Sequence, residues 1–261
     1  MSSLSGKTAF ISGGSRGIGL AVAQRLAAEG ANVMIASSRQ EHIDQALVQI
    51  GEGTEVKVMG QAADLRTLPG CEAAFEAHQK AFGSCDILVH SAGATKGGVF
   101  PDQPDADYLE GFALKFHAGV RLSRLFWPML ASAHGNVVMI VGGAARTPDH
   151  KFMVGGAVNA ALANYTKALA GQGLVDDVNV NWINPGQTET ERLQTLFATR
   201  ADNEGKTIAD VRDERMRDEG IRRLGKPEDV AALVAFLVGD EARHIHGAGI
   251  GVDGGATKGF F

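Results

Sequence analysis

The glycine-rich segment Ser12-Gly13-Gly14-Ser15-Arg16-Gly17-Ile18-Gly19 constrains the fold of this chain more than any other stretch. An apolar run over residues 8–12 leads into it, and a helical pattern over residues 20–29 follows it. Glycines let the backbone turn tightly and approach a pyrophosphate, and the helix start offers free N–H groups and a partial positive charge. A glycine turn between a strand and a helix therefore predicts a dinucleotide site.

Short apolar runs alternate with helical patterns along the whole sequence. The runs predict strands over residues 8–12, 32–36, 55–59, 87–90, 136–141, 178–183 and 249–252. The helical patterns cover residues 20–29, 40–50, 71–82, 109–131, 157–171 and 227–238. Such alternation predicts one α/β domain over residues 1–261, with a Rossmann-type, doubly wound, seven-stranded parallel sheet and helices on both faces.

Residues 188–222 form the least apolar segment and are dense in charge. They follow a predicted strand end, where an open α/β sheet binds its ligands. We expect helices here, acting either as a mobile lid over a substrate or as a solvated surface pair.

Composition excludes several classes of protein. The chain has 261 residues, 44% of them hydrophobic, which is enough to bury a core. A net charge of -5 predicts neither nucleic acid nor an anionic membrane as partner. The two cysteines have no metal-binding spacing, and the first ten residues lack the apolar core of a signal peptide. We therefore expect a soluble, cytoplasmic protein without a metal site.

Four motifs resemble those of the short-chain dehydrogenase/reductase family, over residues 7–257. The family's TGxxxGIG corresponds to residues 12–19, with Ser12 in place of Thr, and its NNAG corresponds to His90-Ser91-Ala92-Gly93. Its PGxxxT corresponds to residues 185–190, and its late RLG-PEDVA and DGG patterns correspond to residues 223–231 and 253–255. The resemblance implies a nicotinamide dinucleotide cofactor and an oxidoreductase fold.

The implied cofactor contacts come from loops that follow the strands. They are Ser12, Gly13, Ser15, Arg16, Gly17, Ile18, Gly19, Ser37, Ser38, Arg39, Asp64, Leu65, Ala92, Gly93, Asn159, Pro185, Gly186, Thr188 and Thr190. Asp64 is expected to bind the adenine amine, and the two threonines lie toward the nicotinamide end. For these three residues, helix capping is the alternative.

The end of the second strand favours NADP over NAD. The sequence there reads Ser37-Ser38-Arg39, without the carboxylate that binds the ribose 2′-hydroxyl of NAD. Two hydroxyls and a guanidinium can hold a 2′-phosphate, and Arg16 adds a second positive charge. The alternative is that both arginines are solvated surface residues.

The family's catalytic residues are the part of the pattern that this sequence departs from. The flanking motifs place Gly155 at the position of the catalytic Tyr, Asn159 at the Lys, Gly142 at the Ser and Lys115 at the Asn. No YxxxK spacing exists, because Leu169 lies four residues after Tyr165, which we expect in the core. Asn159 can still bind ribose hydroxyls, but the ordinary proton donor is missing.

Lys115 and His150 are the candidate replacements for the missing proton donor. A buried lysine with a depressed pKa can act as acid or base, and a histidine titrates near neutrality. His117 lies on the same helix as Lys115. The alternatives are that Lys115 lies at a subunit interface and that residues 149–151 form a solvated loop.

Three functions are consistent with this pattern. The first is an NAD(P)-dependent oxidoreductase with a reorganised site, acting on a small carbonyl or alcohol substrate. The second is a catalytically silent homologue, acting as a cofactor sensor or an inactive subunit, and the third is a lyase or isomerase on the same scaffold. The resemblance also implies a homotetramer. His244 and His246 are expected at the surface or an interface, and the apolar tail 259–261 at a subunit contact.

Overall fold

The seven strands form one parallel sheet in the computed structural model, which describes residues 4–259. The spatial order is β3-β2-β1-β4-β5-β6-β7. The strands are β1 (Thr8–Ser12), β2 (Asn32–Ser37), β3 (Val58–Ala62), β4 (Ile87–His90), β5 (Asn136–Ile140), β6 (Asn179–Pro185) and β7 (Gly249–Val252). The order reverses between β1 and β4, and this switch point opens a crevice at the carboxyl ends of the strands. The predicted doubly wound sheet is confirmed.

Helices cover both faces of the sheet. They are α1 (Gly17–Ala28), α2 (Gln40–Gly51), α3 (Leu68–Phe82), α4 (Asp105–Gly111), α5 (Ala118–Ser132), α6 (Met153–Asp176), α7 (Glu191–Glu204), α8 (Ile208–Glu219) and α9 (Pro227–Leu237). Helices α1, α2 and α9 share one buried apolar cluster with the sheet, and α3, α5 and α6 share the other. Burial on both faces explains why the central strands are nearly all apolar in sequence.

Strand β3 and the predicted helix 109–131 differ from the structure, and α6 extends beyond its predicted bounds at both ends. Strand β3 lies three residues later than predicted, because this edge strand includes Gly60 and Gln61 and is not marked by an apolar run. A side chain at Gly60 would collide with Ile43 of α2. The predicted helix 109–131 is in fact α4 and α5 joined by a π-helical segment, Phe112–His117. Apolar periodicity does not distinguish a π turn from an α turn, and π segments are often found at functional sites.

The polar segment 188–222 folds as the helix pair α7 and α8. The pair has its own small core, formed by Leu193, Phe197, Ala201, Val211, Ile221 and Leu224. Its outer surface carries a charge network in which Arg200 and Lys206 both contact Glu204 and Glu214. The segment is therefore a packed unit, whereas its action as a lid stays a prediction.

Within residues 4–259, no helix combines the length and the apolar composition needed to cross a bilayer.

Candidate cofactor and active site

The glycine turn lies between β1 and α1, at the switch point of the sheet. Gly13 has a φ of +69°, and a Cβ there would lie 2.8 Å from the backbone of Ala92. A Cβ at Gly19 would overlap the carbonyl of Gly13. These positions accept only glycine, so the turn stays compressed against the end of β4 and against the helix start. That is the geometry of a phosphate cradle.

The end of β2 contacts the same turn. The hydroxyl of Ser15 donates to that of Ser37 over 2.8 Å, while Ser38 and Arg39 are exposed. Arg16 lies in the turn and forms an exposed ion pair of 3.3 Å with Glu191 of α7. The structure thus brings the Ser15 and Ser37 hydroxyls together and connects the turn to the helix pair, whereas a ribose-phosphate site at Ser37, Ser38, Arg39 and Arg16 stays a prediction.

Asp64 follows β3 with its carboxylate exposed. It accepts from the Arg66 guanidinium over 2.9 Å, and this hydrogen bond lowers the pKa of Asp64. Thr67, not Asp64, caps α3 by accepting from the N–H of Gly70. The capping alternative for Asp64 is therefore wrong, whereas its role at the adenine end stays a prediction, since the carboxylate is paired with Arg66 here. Leu65 is buried beside it.

A buried chain of hydrogen bonds connects the ends of β1 and β4 to the π-helical segment Phe112–His117. The Ala92 N–H donates to the Ser12 hydroxyl over 3.2 Å, and Ser12 lies 2.8 Å from Nδ1 of His90. Nε2 of His90 lies 2.8 Å from the carbonyl of Lys115. A carbonyl only accepts, so Nε2 carries the proton and Ser12 donates to Nδ1. Burial lowers the pKa of His90 to about 4, so the ring is neutral.

The end of β6 supplies the last predicted cofactor contacts. Gly186 approaches Asp253 so closely that a Cβ would lie 2.9 Å from it. The Thr188 hydroxyl donates to the Gly186 carbonyl over 3.1 Å, whereas Thr190 caps α7 by accepting from the N–H of Leu193. The capping alternative thus holds for Thr190 and not for Thr188. Pro185 ends the strand.

The predicted catalytic positions meet where β5 ends and α6 begins. Gly142 has a φ of +134°, and a Cβ on it would lie 3.1 Å from the amide nitrogen of Asn159. A Cβ on Gly155 would overlap the ring of Phe152. Helix α6 begins at Met153, four residues earlier than predicted, which places Gly155 inside its first turn. Space near these glycines is therefore occupied by Asn159 and Phe152.

Lys115 extends from the π segment into this region. Its stem crosses Gly93, whose Cβ position lies 2.9 Å from Cδ, and its Nζ donates to the Val141 carbonyl over 2.5 Å. Burial and the nearby charge of Arg192 lower the pKa of Lys115 to about 7. The amine of Lys115 thus reaches the end of β5 within this chain, while the residue as a whole keeps intermediate exposure, and the alternative of a subunit interface is not tested by a single chain.

The remaining candidates lie elsewhere. The side chain of His150 is exposed on a turn, 3.6 Å from Asp149, and His117 is also exposed. Tyr165 packs in the core as predicted, where burial raises its pKa. His244 is exposed and His246 is half-buried, and the ring of His246 bridges the Ala170 carbonyl (2.7 Å) and the Val180 N–H (3.3 Å).

The described part of the chain, residues 4–259, holds no cluster of three side chains suited to a metal ion. Most of the apolar tail, Phe260 and Phe261, lies outside the described residues.

Three residues of this site escaped sequence reasoning. Arg192 of α7 donates to the Thr95 carbonyl over 2.5 Å, and Phe152 fills the space beside Gly155. Asn184, directly before Pro185, is 2% exposed, and within residues 4–259 neither of its amide atoms has a partner. The same holds for Oδ1 of Asn159. None of the three had a distinct signal in the sequence, since β6 also contains Asn179 and Asn181 beside Asn184.

Comparisons with known proteins agree with this architecture. A family model described as enoyl-(acyl carrier protein) reductase matches residues 13–257. An uncharacterized oxidoreductase of Bacillus subtilis is 31% identical over 99% of this chain and 98% of its own length.

Two solved structures share the fold closely. L-sorbose reductase from Gluconobacter frateurii, in complex with NADPH and L-sorbose, has a TM-score of 0.95 and 29% identity over 99% of both chains. A short-chain dehydrogenase from Burkholderia cenocepacia, in complex with NADP, has a TM-score of 0.85 and 35% identity, covering 97% of this chain and 98% of the other. With the glycine cradle, the parallel sheet and the late motifs in place, this chain belongs to the short-chain dehydrogenase/reductase family.

Proposed function

We propose that this protein is an NADP-dependent oxidoreductase of a small carbonyl or alcohol substrate, with Lys115 as its proton donor and acceptor. The observation that carries the proposal is the position of the Lys115 amine at the carboxyl end of β5 with a pKa of about 7. An acid or base is most effective when its pKa lies near the working pH.

The residues present fit a nicotinamide dinucleotide. The cradle at Gly13 and Gly19 leaves no room for side chains, as close approach to a pyrophosphate requires. Buried polar atoms are normally hydrogen-bonded, and a bound ligand would satisfy the amide groups of Asn159 and Asn184. Ser37, Ser38 and Arg39 are suited to a 2′-phosphate, and the relatives solved with NADPH and NADP support that choice.

Lys115 takes the place of a residue set that the family uses and this chain does not contain. Gly142, Gly155 and Asn159 offer neither a hydroxyl, nor a phenol, nor an ammonium group. A nicotinamide cofactor held by the glycine cradle would supply the hydride that the substrate carbon accepts. The Lys115 ammonium donates a proton to the substrate oxygen during reduction, and the neutral amine accepts it during oxidation. Solvent then restores the proton.

The direction of the Lys115 pKa shift sets the expected pH dependence. The ammonium form is present below pH 7 and is lost above it, so carbonyl reduction slows as pH rises through about 7. Alcohol oxidation needs the neutral amine and rises through the same range. Steady-state rates in both directions, measured from pH 5 to 10, test both slopes.

Lys115→Met removes the amine and keeps an unbranched apolar stem. We expect kcat for reduction to fall by about two to four orders of magnitude. NADPH affinity, measured by fluorescence titration, stays near that of the unmodified protein, because the cradle is untouched. Full turnover in Lys115→Met would contradict the proposal. A comparable loss in His150→Ala alone would move the proton transfer to His150, the weaker candidate because its side chain is exposed.

A catalytically silent homologue is the second candidate function. It is favoured by the ring of Phe152, which occupies the space beside Gly155. Tight NADPH binding without turnover across a broad carbonyl and alcohol panel would support this reading. Nothing in the site favours a lyase or isomerase over these two.

We also propose a homotetramer in a reducing, cytoplasmic compartment, with α7 and α8 as a substrate lid. Cys71 and Cys85 are buried free thiols, which suits a reducing environment. The lid proposal is supported by the contacts of Glu191 with Arg16 and of Arg192 with the Thr95 carbonyl, because both connect α7 to loops of the crevice.

A further inference from the structure

Arg192 is the second cationic side chain at the reaction centre, and the mechanism above does not use it. It lies in the first turn of α7 and donates to the carbonyl of Thr95. Thr95 is two residues after Gly93, which the stem of Lys115 crosses. Two residues of extended chain span at most about 7 Å, so both cations flank one short stretch of the loop after β4.

Neither cation has a counter-ion in the part of the chain that the structure describes. The acidic groups nearest in sequence are engaged elsewhere: Glu191 pairs with Arg16, and Glu110 lies 3.8 Å from the amine of Lys96. Arg192 is the charged group that acts on Lys115, and its effect is repulsive. Sheltering of the guanidinium also lowers the pKa of Arg192. Two neighbouring cations without an anion repel each other, and an anionic ligand would relieve that repulsion.

The position of Arg192 within α7 adds a further cost. The N-terminus of a helix carries a partial positive charge and favours acidic residues there. Arg192 lies in that turn nonetheless, and it uses a single hydrogen bond to Thr95 among the described residues, out of the five N–H donors that a guanidinium offers. The residue as a whole is exposed, so a ligand in the crevice can reach the free donors.

We propose that Arg192 binds a carboxylate of the substrate, so that the substrate class is carbonyl compounds bearing an acid group and the corresponding hydroxy acids. This inference rests on the proposed function for the role of Lys115. Arg192 holds the carboxylate through paired N–H donors, the geometry that arginine favours. The reacting carbonyl then lies between the carboxylate and the Lys115 amine, and the two cations share one anionic ligand.

Binding without turnover tests this assignment. The protein is saturated with NADP⁺, which cannot reduce a carbonyl, and short- and long-chain 2-oxo and 3-oxo acids are titrated by calorimetry beside their methyl esters. We expect the best acid to bind about tenfold or more tightly than its ester, and Arg192→Gln to abolish that preference. Arg212→Gln is the matched control, because Arg212 lies on the same helix pair but contacts Glu189. We expect Arg212→Gln to keep the preference for the acid over its ester.

Two results would overturn the inference. The first is the absence of acid preference across the panel in the unmodified protein. The second is a loss of NADP⁺ affinity of about tenfold or more in Arg192→Gln, which would assign the anion to a cofactor phosphate. A protein that prefers oxo acids but does not turn them over with NADPH would refute the role of Lys115 and leave the carboxylate site intact.

Discussion

At position 155 the surroundings explain why glycine is present. The ring of Phe152, three residues earlier, lies where a Cβ would be, because Phe152 is the N-cap residue of α6 and Gly155 lies in the first turn of that helix. Gly156, the next residue, meets nothing closer than the Ala144 carbonyl at 3.6 Å, an ordinary contact. Two adjacent glycines in one helix thus differ in whether a side chain fits.

A pair of alanine substitutions measures this difference. Glycine to alanine in a helix ordinarily stabilises by about 0.5–1 kcal/mol, and Gly156→Ala follows that rule. Gly155→Ala instead destabilises by about 1–3 kcal/mol, because the ring of Phe152 must move. In a Phe152→Ala background, the effect of Gly155→Ala changes sign. Urea unfolding of the four variants gives the coupling, and additive effects would show that the ring does not hold position 155 open.

Sequence reasoning reached the glycines of this site but not what fills their space. The motifs that flank Gly142, Gly155 and Asn159 predict that these residues stand at the family's catalytic positions. Whether Phe152 turns toward Gly155 depends on its rotamer and on where α6 starts, and the helical pattern placed that start four residues late. Lys115 was identified as a candidate from the sequence. The hydrogen bond of its amine to the Val141 carbonyl was not, because it depends on the path of the π segment.

At the scale of elements, the glycine turn is a strand-to-helix connection in which backbone replaces side chains. Gly13 combines a positive φ with a close approach to Ala92, whereas Gly53 has a similar φ of +72° in open space. Alanine strains the backbone at both positions, but only at Gly13 does it also press on the end of β4. We expect Gly13→Ala to weaken NADPH binding by about tenfold or more and Gly53→Ala to leave it unchanged. Fluorescence titration of both variants checks this, and equal effects would contradict a cradle at Gly13.

His90 connects β1 and β4 to the π segment, and its protonation state makes that connection sensitive to acid. Its folded pKa is about 4, below the ordinary 6.5, so the unfolded chain binds the extra proton between these values. Stability therefore falls as pH drops from about 6.5 to 4, by up to about 3 kcal/mol from His90. His78 has the same sign and range, so the comparison must isolate His90.

The comparison uses His90→Asn, which cannot titrate and retains a donor and an acceptor. Unfolding free energies of this variant and the unmodified protein should converge as pH falls from about 6.5 to 4. His90→Phe, which removes the hydrogen bonds, should be less stable at every pH in that range. A constant difference between His90→Asn and the unmodified protein would show that His90 does not titrate in this window.

The sheet was predictable because each central strand is buried on both faces, and a strand buried on both faces consists mostly of apolar residues. Edge strand β3 was displaced because it lacks that signature, and the π segment was missed because its residues keep a helical pattern. The contact of Arg192 with Thr95 joins residues 97 positions apart. No local sequence pattern encodes such a contact, so the position of Arg192 beside the loop after β4 could not be predicted from the sequence.

Assembly of the whole molecule is open to a direct test through the far end of α6. Leu174 and Val175 there are 75% and 77% exposed, and adjacent apolar side chains in water favour burial against another surface. In the proposed homotetramer, α6 packs against a second copy of the chain.

Val175→Glu places a charge in that contact and should shift the sedimentation velocity profile to a smaller species. Val48 of α2 is 74% exposed on the opposite face of the sheet, so Val48→Glu should leave the profile unchanged. An unmodified protein that sediments as a monomer at micromolar concentration, or equal effects of the two substitutions, would exclude an assembly through α6.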